Sequence, residues 1–185
     1  MNIGNLLPQE CCLVVIDPQE RLMAHIHQAE RVVKNISLMA RLASVLSIPV
    51  ITCTQNKERI GPFVPELAPL LADWPSADKM EFNAFANPGV RRNLHSRSAL
   101  VHTVLLCGVE SHICVWQTAV GAIQEGYEVQ VVADAISSRT PENDAYGKQR
   151  LREIGAVLAP AEMLIYEFLQ KAGTPAFKAM LPHLR

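Results

Sequence analysis

Three side chains able to act as base, cation and nucleophile lie at or near the ends of strand-like segments in this chain of 185 residues. Asp17 ends "CCLVVI", Lys79 lies in "DKMEF", and Cys114 follows "TVLLCG" by one loop. A cysteine in the first turn of a helix has its sulfur among unpaired backbone N–H groups, at the positive end of the helix dipole. Such a place can bring a thiol pKa from about 8.5 toward roughly 3.5 to 7.5, especially beside a lysine. The thiolate would attack a carbonyl or imine-like carbon, with a carboxylate to take and return the proton. Taken singly, each residue has a plainer reading. Asp17 can cap the segment that begins at Pro18, and most lysines are solvated. A cysteine is often a small buried hydrophobe, which is how Cys11, Cys12, Cys53 and Cys107 read inside their apolar patterns.

The elements that must position these groups alternate along the chain. Strands are predicted at "CCLVVI", "IPVITCT", "DKMEF", "TVLLCG", "EVQVVAD" and "AVLAP". A helix is predicted from about Gln28 to Leu46, where Val32, Val33, Ile36, Met39, Leu42, Ala43 and Leu46 recur at helical spacing. Others start at Asn87-Pro88, run from Val115 to Glu125 before Gly126, run from Thr140-Pro141 to Glu153 before Gly155, and span "AEMLIYEFL". Residues 56–75 carry Gly61, Pro62, Pro65, Pro69 and Pro75, so they predict an irregular connection with one short helix near Glu66 to Leu71. A connection of that length is a candidate lid or subunit contact. Strands spaced by helices imply an α/β parallel sheet covered on both faces. Ligands of such sheets bind beyond the carboxyl ends of the strands, where the strand order reverses, and Asp17, Lys79 and Cys114 fall on that edge.

Length and the 49% apolar content predict one domain over residues 1–185, with an amphipathic tail at about 172–185 that either docks on a neighbouring subunit or folds back. With 17 basic and 18 acidic residues and neither sign in a long run, nucleic acid and membrane surfaces are poor partners. The N-terminal "MNIGNLLPQE" lacks a signal-type pattern, and no run nears the roughly 18 to 20 apolar residues that span a bilayer. Five cysteines without a C-x-x-C pair or zinc spacing predict reduced thiols, a cytoplasmic protein and neither metal nor cofactor.

The segments "VVIDPQERL", "KMEFNAF" and above all "LLCGVESHICVWQTAVGAIQEGYEVQVVADAISSR" resemble the isochorismatase-like cysteine hydrolases, over residues 10–170. The resemblance implies a Rossmann-like three-layer α-β-α fold with a six-stranded parallel sheet. It implies a catalytic triad of Asp17, Lys79 and Cys114, and a cis peptide at Val109-Glu110. That bond would turn the Glu110 amide toward the pocket, where it and the Cys114 amide would form an oxyanion hole. It implies cleavage of a C–N bond in a small molecule through an acyl-enzyme on Cys114, and a homo-oligomer, dimer or tetramer.

Nicotinamidases of this family carry a metal-binding aspartate and histidines after the second strand, where this chain reads "TCTQNKERIGPFVPEL". That departure counts against a metal-dependent nicotinamidase and leaves a metal-independent nicotinamidase-like activity as an alternative. His25 and His27 read as surface histidines. Gln19, Phe82, Asn83, Phe85 and His112 flank the triad and could line a substrate pocket. Phe82 and Phe85 read equally well as core, His112 as facing solvent or a subunit contact, and Trp116 as packing. Outside hydrolysis, the alternatives are an oligomeric scaffold that retains the triad, or a redox sensor at Cys114 resolved by Cys107 or Cys53.

Overall fold

In the computed structural model, residues 5–184 build a six-stranded sheet around β1, Cys11–Ile16, the first apolar run. The other strands are β2 (Val50–Gln55), β3 (Ser76–Lys79), β4 (Thr103–Val109), β5 (Glu128–Ser137) and β6 (Val157–Ala159). All neighbours pair in parallel, in the order β3-β2-β1-β4-β5-β6. The chain fills one side of β1 and then returns to its other side, so the order reverses between β1 and β4. The helices are α1 (Glu20–Met23), α2 (Ala29–Leu46), α3 (Lys57–Ile60), α4 (Ala68–Leu71), α5 (Pro88–His95), α6 (Trp116–Gln124), α7 (Pro141–Glu153), α8 (Ala161–Leu169) and α9 (Pro175–Met180).

The period of two along β1 divides the interior into two layers. Cys11, Leu13 and Val15 pack with Ile36 and Met39 of α2 and Ile165 of α8. Cys12, Val14 and Ile16 pack with Val90 of α5, Ala119 of α6 and Leu151 of α7. A strand apolar on both faces therefore needs helices on both sides, which gives the three layers expected from the sequence. The predicted caps form: Asn87 accepts from the Gly89 and Val90 amides, and Thr140 from that of Asn143.

Several boundaries differ from expectation. The third strand ends at Lys79, and Met80 to Phe82 bend outward into solvent because only Ser76–Lys79 find partners on β2. The fifth strand runs on to Ser137 through a register shift against β4 between Leu106 and Gly108. A π-helical turn, Ser111–Val115, precedes α6. The connection over residues 56–75 is fastened down, with Val64, Leu67 and Leu71 buried in the same layer as α2. The tail folds back: α9 follows a Thr174 cap, and Met180 is fully buried in that layer.

Candidate active site

Asp17 is the residue after β1 and sits at φ 52°, in the left-handed region that aspartate tolerates better than most side chains. Its N–H donates to the Cys53 carbonyl at 3.1 Å and its carbonyl accepts from the Gln19 amide at 2.7 Å, so the turn is fixed on both sides. The carboxylate is fully buried, and Lys79 at the end of β3, 1% exposed, donates to its Oδ2 at 2.6 Å. Lys79 Nζ also donates to Gln55 Oε1 at 2.7 Å, and Gln55 Nε2 in turn donates to the Met80 carbonyl at 2.9 Å. A buried ion pair recovers its desolvation cost only with such supporting bonds. Asp17 Oδ1 has no regular hydrogen-bond partner, and the two thiols that act on this carboxylate, Cys114 and Cys53, are weak donors.

Cys114 lies in the π-helical turn after β4, with Glu110 as the residue that opens it. The Val109-Glu110 peptide is cis. The Glu110 carbonyl accepts from the Ile113 and Val115 amides at 3.1 and 3.2 Å, on either side of Cys114. Ser138 Oγ binds Ser111 Oγ at 2.6 Å and His112 Nδ1 at 2.9 Å. Gly147 of α7 backs this turn so closely that a Cβ there would lie 2.8 Å from the His112 nitrogen.

The electrostatics overturn one expectation. Burial, then the Asp17 charge, push the Cys114 thiol up to about 12, with Lys79 and the Glu110 amide pulling the other way. The resting sulfur is therefore a thiol at neutral pH, because desolvation outweighs the nearby cation and the amide. Burial also pushes the Asp17 carboxyl up, against the pull of Lys79, which makes it a better proton acceptor. Burial disfavours the Lys79 charge, but the neighbouring acidic groups, with the Asp17 carboxylate in direct contact at 2.6 Å, oppose it and the net direction is upward.

The residues flanking the triad take different places. The Gln19 amide is committed to backbone, donating to the Gln55 and Gly61 carbonyls at 3.2 and 2.7 Å and accepting from the Gln55 N–H at 2.7 Å. Asn83 caps the turn at Phe85, whose N–H it accepts at 2.9 Å. Phe85 is core, stacked on Tyr127 at 5.8 Å, whereas Phe82 is 51% exposed. His112 is half-buried on Ser138, and Trp116 carries the Arg150 guanidinium 3.9 Å over its ring. His25 is exposed, but His27 is tied through its backbone to Ser137 and Ser138. A 430 Å³ cavity opens beside the turn, with Arg21, His25, Glu110 and Arg139 on its wall. Among the described residues, no three His, Cys, Asp or Glu side chains gather as metal ligands.

Sequence reasoning missed Gln55 and Arg139, and placed Cys53 in the core or as a resolving thiol rather than beside Asp17. Gln55 carried the same signal as Asp17, a polar residue closing an apolar strand, but its place beside Lys79 depends on the β2–β3 register. Cys53 reads as core and is core, yet its register opposite Ile16 sets it beside the Asp17 turn.

A six-stranded parallel sheet between two helical layers, with its chemistry at the reversal of strand order, defines a three-layer α/β protein of the isochorismatase type. Residues 11–163 match the isochorismatase domain, and the chain belongs to this family of hydrolases. It is 36% identical over 181 residues to a secreted isochorismatase effector, Isc1, of Phytophthora sojae, covering 96% of this chain and 86% of that one. It is 33% identical over 177 residues to isochorismatase domain-containing protein 2A of Mus musculus, covering 96% and 84%. The structure of the MAR1 ribonuclease from Caenorhabditis elegans superposes with a TM-score of 0.90 at 29% identity, over 98% of this chain and 92% of that one. The Escherichia coli YcaC gene product, described as an octameric hydrolase of unknown specificity, superposes with a TM-score of 0.88 at 22% identity, over 98% and 93%.

Proposed function

We propose that this protein hydrolyses a C–N bond of a small carboxamide, ureide or related molecule through a covalent intermediate on Cys114. The observation that carries the reading is the open Oδ1 of a buried Asp17 whose other oxygen is held at 2.6 Å by Lys79. On attack, the Cys114 proton passes to Asp17 as sulfur bonds the acyl carbon. The Glu110 and Cys114 amides receive the oxyanion. Collapse breaks the C–N bond, and Asp17 returns the proton to the departing nitrogen, so ammonia or an amine leaves. Water, deprotonated by Asp17, then cleaves the thioester and restores the thiol. Lys79 keeps the carboxylate ionised between steps.

Ammonia release across a panel of primary carboxamides and ureides tests this. Cys114→Ala should remove turnover while leaving the unfolding midpoint close to wild type; full activity in that variant would rule the mechanism out.

The net charge of −1 disfavours a polyanion such as RNA as substrate. Exposed Met80 and Phe82, next to Lys79, favour a second copy as cover for the site, in line with the octamer described for the Escherichia coli relative. All five cysteines are free, which supports a reducing compartment, the cytoplasm.

A further inference from the structure

We propose that the Glu110 side chain and Arg139 form a positioning pair that fixes the start of the turn presenting the Cys114 sulfur. This rests on the nucleophile reading above and assigns to two side chains a task within it. The Glu110 carbonyl anchors the amides of Ile113 and Val115 on either side of Cys114.

The Glu110 carboxylate, 6% exposed, is held by three donors of Arg139: the backbone N–H at 3.1 Å, Nε at 3.0 Å and Nη2 at 2.6 Å. A guanidinium fork engaged at both carboxylate oxygens fixes orientation as well as distance. Ser138 already restrains Ser111 and His112, but those bonds act after Glu110 in the chain. On the Arg139 side lies the 430 Å³ cavity, so the fork rather than close packing restrains the residue there. Arg139 lies two residues past the end of β5, Glu128–Ser137, which places the donor close to the sheet.

The probe is iodoacetamide, with the rate of alkylation at Cys114 read by mass spectrometry in the whole chain, beside thermal unfolding. Glu110→Gln and Arg139→Ala should each slow alkylation about tenfold, the kinetic equivalent of losing one hydrogen bond of ordinary strength. The double variant should be no slower than either single one, because both remove the same restraint. Arg139→Lys, which keeps one charged donor, should recover part of the rate. Arg139 is largely exposed, so its variants keep the test open even where Glu110→Gln folds poorly. Losses that multiply in the double variant, or rates equal to wild type, would overturn the pairing. A wild-type Cys114 that resists alkylation altogether would overturn the nucleophile reading and this inference together, whereas a reactive wild type with unaffected variants would overturn the pairing alone.

Discussion

Asp17 and Cys114 were legible because each comes after an apolar run and differs from it in chemistry, whereas Lys79, behind Ser76-Ala77-Asp78, was legible through the family resemblance. Their protonation was not, because desolvation depends on what packs around them. The helix start and the lysine both favour thiolate, yet burial and the Asp17 charge prevail and the thiol is pushed up to about 12. In the proposed mechanism, proton transfer is then a step of the reaction rather than a resting condition, which gives Asp17 its weight there. Lys79 bears on stability as well as chemistry, since its removal leaves a carboxylate buried without a counter-ion. Lys79→Met should cost about 3 to 5 kcal/mol in urea unfolding, the range for breaking one partner out of a buried pair. An unchanged midpoint would mean that Asp17 is neutral in the folded protein.

Elements were legible where periodicity or a cap marked them, as in α2, in α5 behind Asn87 and in α7 behind Thr140. "DKMEF" misled because its apolar residues, Met80 and Phe82, carry the pattern of a strand while the pairing stops at Lys79. The π-helical turn and the long fifth strand left no sequence mark, since both depend on how β4 and β5 shift past one another. Gly108 sits at that shift with φ 119°, and a Cβ there would lie 1.9 Å from the Ile16 carbonyl oxygen. That contact is with the strand leading directly to Asp17, so no side chain can move to relieve it. Gly108→Ala should lower soluble yield and thermal midpoint sharply, beyond the ~1 kcal/mol typical of point changes. A variant that unfolds like wild type would show that β1 and β4 can part without loss.

At the scale of the molecule, the sheet order explains why residues 17, 79 and 114 meet although they lie on three different strand ends. Alternation of strands and helices foretold the parallel sheet, but strand order is not written in local pattern, and Gln55 went unread for that reason. The fate of the tail was equally open, since one amphipathic face fits a neighbour or its own domain; Met180 settles in the layer under α2. Among the large apolar side chains that the folded chain leaves exposed, Met80 and Phe82 follow Lys79 closely in the chain. Sedimentation equilibrium should return a multiple of the chain mass, and Phe82→Glu should shift it downward; a monomeric wild type would show that the site functions without a covering copy.

The most direct measurement is the rate of iodoacetamide alkylation at Cys114 in Asp17→Asn against wild type at neutral pH. If Asp17 only sets the local charge, its neutralisation lowers the thiol pKa and alkylation quickens. As the base that accepts the Cys114 proton, its loss should slow alkylation by about 100-fold or more. A slower Asp17→Asn is the expected result; a faster one would contradict the assignment of Asp17 as base.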